Sequence, residues 1–351
     1  MSLKQVPIDS VLAPSSPYDT VIDVRSPAEF ADDHLPGAVN WPVLDDEERA
    51  HVGTVYKQVS TFEARKIGAA LVSRRIADML DTHVGPKDRD WQPLVYCWRG
   101  GQRSGSLSLV LAQVGFRTCQ LSGGYKAFRA RVRDDLATLP ATLRFHVVRG
   151  RTGSGKTRLL GALAAEGAQV LDLEALAAHR GSVLGDLHDT PQPSQKHFET
   201  LLWQALRTFD PARPVFVESE SRRIGARQLP DQLLAAIQAP ARWIQLELSM
   251  AGRHALLMQD YAHFVDHPAL LADRLDVLVE LRGREQVAHW KALALAGQWH
   301  DLLPQLMTLH YDPLYDRQAR RAAEQPDRLQ VLQLEVADAP SLTAAARSLL
   351  A

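Results

Sequence analysis

Residues 150–157, "GRTGSGKT", constrain the fold of this chain more than any other stretch. They fit the pattern G-x4-G-K-[ST] at Gly150, Gly155, Lys156 and Thr157, with Arg151, Thr152, Gly153 and Ser154 between. An apolar run, "RFHVVRG" (144–150), precedes them, and a helical run from Lys156 to Ala165 follows. That order, strand then glycine-rich loop then helix, is the context in which the pattern carries meaning. Glycines let backbone N–H groups wrap phosphate oxygens, Lys156 neutralises charge, and Thr157 is placed to hold Mg²⁺. Further apolar runs at 168–174, 213–221, 241–248 and 329–336 read as strands, and 251–309 reads as mostly helical. Strands alternating with helices imply a parallel α/β sheet.

Two of these strands end in acidic residues, Asp172 and Glu174 on one, Glu218 and Glu220 on the other. A carboxylate at a strand end can aim at a metal or at water. A solvated strand terminus accounts for any one of the four equally well. No base-specifying motif accompanies the loop, so its ligand need not be a nucleoside triphosphate; a diphosphate on another body suffices.

The first third repeats the alternation with strands at 20–24, 93–97 and 117–124, and with helices at 27–34, 60–82 and 104–114. Here "YCWRGGQRS" (96–104) sets Cys97 at the end of an apolar run. Backbone N–H groups of the loop Trp98, Arg99, Gly100, Gly101 and Gln102 are expected to converge above the sulfur. The helix beginning near Ser104 adds the positive end of its dipole. Arg99 and Arg103 add charge that grips an oxyanion. Cys97 therefore reads as a nucleophile in an anion pocket, whereas Cys119, inside a strand without flanking glycines, reads as inert.

The chain has 351 residues and a formal net charge of −1, so bulk charge does not advertise a polyanion-binding surface. Two cysteines argue against a disulfide framework and fit a reducing compartment. No apolar leader and no membrane-length apolar run is seen, which together suggest a cytoplasmic protein. A boundary is expected within "DDLATLPATLR" (134–144), giving domains 1–138 and 139–351.

Other residues are weaker candidates. His179, Arg180 and Ser182 lie in a glycine-bounded loop that a helix-ending turn explains equally well. Gln195 and Lys196 begin a helix, and Arg222 and Arg223 follow the second acidic pair. His263 and His267 have metal-ligand spacing but no third ligand. Trp290 and Trp299 read as helical core. Tyr311 and Tyr315, with Arg317, Arg320 and Arg321, suit stacking on single-stranded RNA, although a solvated basic face is the more frequent outcome.

Residues 21–42, 95–104 and 121–128 ("LSGGYKAF") resemble a rhodanese domain. The resemblance implies that Cys97 carries a persulfide or its selenium equivalent. The five residues between Cys97 and Arg103 make the loop longer than the usual sulfurtransferase one. They also match the C-x5-R loop of cysteine phosphatases, so sulfur transfer, a phosphatase fused to a nucleotide-binding module, and a nucleotide-gated sulfur carrier all stay open at this point. Together "CWRGGQRS", "GRTGSGKT", "HRGSVLG", "QPSQKHFE" and "VESESRRIG" resemble bacterial tRNA 2-selenouridine synthases. That resemblance implies a rhodanese-like parallel-sheet domain followed by a P-loop NTPase-like α/β domain with a helical C-terminal part. It further implies tRNA as partner, with its wobble uridine modified. Selenophosphate and geranyl diphosphate are then substrates, a geranylated 2-thiouridine is the intermediate, Mg²⁺ is an optional ion at Thr157, and no cofactor is tightly bound.

Overall fold

The computed structural model describes residues 3–182, 185, 190–260, 262–313, 315 and 326–351, with nothing said of the His263 and Pro326 side chains. The chain divides into two compact units, Met1–Asp135 and Leu136–Ala351. Among the described residues no helix is long and apolar enough to cross a membrane.

The first unit is built on a five-stranded sheet of β1 (Lys4–Val6), β2 (Thr20–Asp23), β3 (Val39–Asn40), β4 (Pro93–Tyr96) and β5 (Cys119–Leu121), in the order β1-β5-β4-β2-β3. All pairings are parallel. Central β4 is buried at every position, as expected of a strand covered on both faces. Ser60 caps helix Thr61–Met79 by accepting from the N–H groups of Phe62 and Glu63. Val72, Ile76 and Met79 then reach the core beside Ile22, Val95 and Leu107. Two strands and three helices, Ile8–Val11, Asp46–Gln58 and Gly124–Thr138, depart from the sequence reading. β1 and β3 are edge strands of three and two residues, too short to show alternation. Helix Asp46–Gln58 buries none of its residues, so it has no apolar stripe to read.

The second unit carries β6 (Arg144–Arg149), β7 (Gln169–Leu171), β8 (Pro214–Glu218), β11 (Arg242–Leu248) and β12 (Leu329–Leu334), parallel and ordered β12-β11-β6-β8-β7. A short antiparallel hairpin, β9 (Arg223–Ile224) with β10 (Arg227–Gln228), follows β8. Leu159, Leu160 and Leu163 of helix Lys156–Ala165 pack with Leu342, Ala346 and Leu349 of the terminal helix Ala339–Leu350. The described residues between Met250 and Tyr311 form successive helices around Phe264, Leu275, Trp290 and Trp299. Each large side chain buried this way contributes about 1.5–3 kcal/mol.

Candidate functional site

β4 ends directly in Cys97, and the chain turns through residues 98–101 into helix Gln102–Val114. The second wall of the loop is the start of helix Gly124–Thr138, whose Tyr125 and Lys126 N–H groups donate to the Cys97 and Trp98 carbonyls at 2.8 and 3.0 Å. Gly124 has φ +54°, and a Cβ there would collide with the Cys97 carbonyl and come within 2.6 Å of the Gly100 nitrogen. Only glycine lets the two segments meet this closely.

Cys97 as a whole is 3% exposed and shares the core with Val95 and Leu107. Its donor is the Ser104 hydroxyl, 3.2 Å away. Among the described residues no backbone N–H donates to it, and the residue is packed within the apolar core. Trp98, Arg99, Gly101 and Gln102 are exposed around it, while Gly100 is half-buried. Arg103 is turned aside, donating to Glu29 at 2.6 and 3.4 Å. Burial pushes the Glu29 carboxyl up, but the hydrogen bond and charge of Arg103, with the Ser26 N–H and the charge of Arg49, more than offset it and leave it below its usual range.

In the second unit the loop Gly150–Thr157 leaves β6 and enters helix Lys156–Ala165. A Cβ at Gly150 would meet the Leu246 carbonyl at 2.6 Å, so β11 and the loop pack backbone to backbone here. Lys156 Nζ donates to the Gly150 carbonyl at 3.1 Å and Thr157 Oγ1 to Glu174 Oε2 at 3.1 Å. The loop borders a cleft of about 440 Å³ whose wall includes Lys156, Thr157, Glu174, Arg180, Ser182 and Glu220.

The acidic strand ends meet beside this cleft. Glu218, 1% exposed, accepts from the Glu174 N–H at 2.8 Å and leaves its other oxygen without a partner. Burial, then the charges of Asp172, Glu174 and Glu220, push its carboxyl well up. Burial and the charge of Glu174 raise Glu220 to about 7, against the opposing charge of Lys156. Burial raises Glu174 and Asp172 as well. Burial and mutual repulsion of this kind favour the protonated form of a carboxyl group.

The two halves of this architecture match two family models, the Rhodanese-like domain over residues 9–131 and the tRNA 2-selenouridine synthase AAA domain over residues 143–273. A protein named tRNA 2-selenouridine synthase from Nitrosomonas europaea is 39% identical over 250 residues, covering 69% of this chain and 63% of its own. Another of that name, from Marinobacter nauticus, is 33% identical over 327 residues, covering 85% of this chain and 88% of its own. The chain belongs to the tRNA 2-selenouridine synthase family. The solved structure of a rhodanese-like domain protein from Staphylococcus aureus is also similar, at 18% identity and TM-score 0.24, covering 36% of this chain and 91% of its own.

In this member of the tRNA 2-selenouridine synthase family several residues outside the two motifs hold them in shape. Gln120 on β5 donates to the carbonyls of Gly100 and Gly101 at 2.9 and 3.2 Å and to Ser104 Oγ at 2.7 Å. Arg253 donates to the Thr152 carbonyl at 3.0 Å while pairing with Asp312 at 2.6 and 3.0 Å. Arg151 stands 3.8 Å from the same carboxylate. Neither Gln120 nor Arg253 lies in a recognisable motif; the only hint was a polar side chain inside an apolar strand or helix.

The remaining candidates make structural contacts, Arg180 and Tyr315 doing so from the wall of the cleft. Asp172 caps helix Leu173–Ala177 by accepting from the Ala175 N–H at 2.8 Å. His179 is buried and accepts from the Gly181 N–H at 3.1 Å, and Arg180 bonds the Asp260 carbonyl. Gln195 bridges to Gln228, and Arg222 pairs with Asp231 at the surface. Tyr315 reaches Arg149 and Gln245, while Arg317, Arg320 and Arg321, like the His263 side chain, lie outside the described residues. Cys119 is buried in β5.

Proposed function

We propose that this chain acts on tRNA in the cytoplasm, replacing the 2-sulfur of a wobble 2-thiouridine by selenium from selenophosphate, by way of a base S-geranylated from geranyl diphosphate. Family membership supports the selenouridine modification. The observation that carries the finer reading is the mixed lining of the cleft: Lys156 and the glycine loop together with the apolar Leu256 and Leu257 and the ring of Tyr311. A diphosphate bearing an apolar body suits both.

In the first step the thio sulfur bonds to geranyl C1 as the C–O bond breaks. Pyrophosphate leaves with the electron pair, and Lys156 with the loop N–H groups offsets its charge. Alkylation turns sulfur into a good leaving group. The selenium of selenophosphate then adds at C2, geranylthiolate departs with the C–S electrons, and water takes the phosphoryl group off selenium as phosphate, so no oxidant is needed. Cys97 is assigned to selenium carriage, with Ser104 as hydrogen-bond donor to its sulfur. The Thr157 hydroxyl and a Glu174 oxygen, 3.1 Å apart, form an oxygen pair suited to Mg²⁺, which would offset diphosphate charge. The pairing of Arg103 with Glu29 weighs against the phosphatase alternative, in which that arginine grips the substrate.

Nucleoside mass spectrometry of tRNA treated with purified variants tests the assignment. Cys97→Ser is expected to stop at the geranylated base, and Lys156→Ala to leave 2-thiouridine unalkylated. Intact selenation by Cys97→Ser, or normal geranylation by Lys156→Ala, would remove the corresponding role. Turnover of a generic phosphomonoester would favour the phosphatase instead.

A further inference from the structure

One face of the second sheet is covered by helices along β11 and β12, and the other is open there. Ile244, Leu246, Leu332 and Leu334 pack with helices Lys156–Ala165 and Ala339–Leu350. The alternate residues face the other way, and of these Glu247, Val331 and Gln333 are exposed. Parallel strands are ordinarily covered on both faces. A pocket of about 460 Å³ lies here, with Gln245, Glu247 and Val331 on its wall. Arg151 and Ser154 of the glycine loop also line it, whereas Gly150, Thr152, Lys156 and Thr157 line the cleft. The loop therefore stands between two spaces.

Arg149, on the same wall, is 5% exposed. Among the described residues it makes no ion pair, and its one hydrogen bond runs from Nε to Tyr315 Oη at 3.2 Å. Its guanidinium carbon lies 5.5 and 5.6 Å from the ring centroids of Trp243 and Tyr315. Aromatic faces offset only part of the cost of burying a charge, and four N–H donors remain to be used. The Ser154 hydroxyl is buried on this wall as well and has no partner among the described residues. We infer that this pocket is a second oxyanion site, across the glycine loop from the cleft, in which Arg149 grips a phosphate group. It does not depend on what the cleft holds. A guanidinium is matched to phosphate oxygens, and a tetrahedral phosphate presents oxygens in enough directions to meet the hydroxyl as well. Setting Asp312 and Glu247 against Arg149, Arg151 and Arg253 leaves one positive charge over, so the site favours an anion. The phosphate belongs either to an RNA strand laid on the open face or to a small free anion, and the two sources are separable.

The first test is thermal unfolding of full-length Lys156→Ala, which weakens the cleft's own hold on phosphate, with and without inorganic phosphate. Its Tm is expected to rise with phosphate, and adding Arg149→Met or Gln245→Glu is expected to abolish the rise. Gln245 lies opposite Arg149 in the pairing of β11 with β6 and accepts from Tyr315 Oη at 2.7 Å. Gln245→Glu keeps that acceptor and supplies a resident counterion, so it is expected to raise Tm in the absence of phosphate. The second test is tRNA affinity against salt concentration, with Lys156 intact. If the phosphate is RNA's, each variant weakens tRNA binding about tenfold and lowers the slope of log affinity on log salt by roughly 0.7–0.9. If it is a free anion, tRNA binding is unchanged and only the phosphate response disappears. A phosphate response that survives both variants would overturn the site. So would the absence of any phosphate response together with unchanged tRNA binding.

Discussion

The side-chain amide of Gln120 lies 2.7 Å from the Ser104 hydroxyl oxygen and donates to it. A hydroxyl has one proton to give. With Gln120 feeding its oxygen, that proton is left for the Cys97 sulfur at 3.2 Å or the Gly101 carbonyl at 3.3 Å. The orientation of the donor to sulfur is thus set from β5, sixteen residues from Ser104 along the chain.

Ser104→Ala removes that donor without enlarging the loop. A hydrogen bond of this kind is worth about 0.5–1.5 kcal/mol net. Selenation is expected to slow about three- to tenfold with geranylation unchanged, both read from the same tRNA digest. Gln120→Leu is expected to cost more stability than Ser104→Ala, because the Gly100 and Gly101 carbonyls lose their partner too.

Glu29 gives an acid-side signature. Its carboxyl is held below its usual range in the folded chain, so it contributes stability above its unfolded pKa of about 4.3 and loses it as pH falls below that. Glu29→Gln is expected to flatten the decline in urea stability between about pH 5 and 3. An unchanged slope would show that the Arg103 pair is not coupled to folding.

Glu220 behaves oppositely. Its folded pKa is raised to about 7, so the folded state binds the proton more tightly and loses stability as pH rises from the ordinary carboxylate range through 7. Glu220→Gln is expected to raise Tm relative to the parent at pH 8 and to leave it nearly unchanged at pH 4. Melting curves at the two values decide it.

Arg253 and Asp312 are 4% and 11% exposed, and the arginine also ties down Thr152. Arg253→Met strands a buried carboxylate and is expected to cost about 3 kcal/mol. The double variant R253M with D312L is expected to recover most of that in urea unfolding. Phosphate binding would still be weakened, because the loop carbonyl remains untied.

Gly124→Ala is expected to destabilise the first unit by about 1–3 kcal/mol through steric overlap at the Cys97 carbonyl. Selenation should be lost well before geranylation, checked by assaying both products below the variant's melting temperature.

Much of this was legible from the residues. The glycine loop placed a strand before Gly150 and a helix from Lys156, and both are there. Trp290 and Trp299 pack in the helical core, where apolar spacing put them. What escaped was non-local. That Arg103 turns to Glu29, 74 residues away, depends on which helix β2 sends across the sheet. That Asp172 caps a helix depends on where β7 stops. Convergence of Glu174 with Glu218 follows from the pairing of β7 with β8, which no local pattern specifies. The burial of Cys97 was concealed by the polarity of the exposed residues that follow it, Arg99 and Gln102 among them.

That inward-facing thiol has a consequence for its survival in a cell. Peroxide and stray electrophiles meet Trp98, Arg99 and Gly101 before they meet sulfur. Damage to Cys97 is then paced by how often its surroundings part, not by reagent concentration alone. On the selenium-carrier role proposed for Cys97, selenium has to arrive by the same opening that would admit an oxidant.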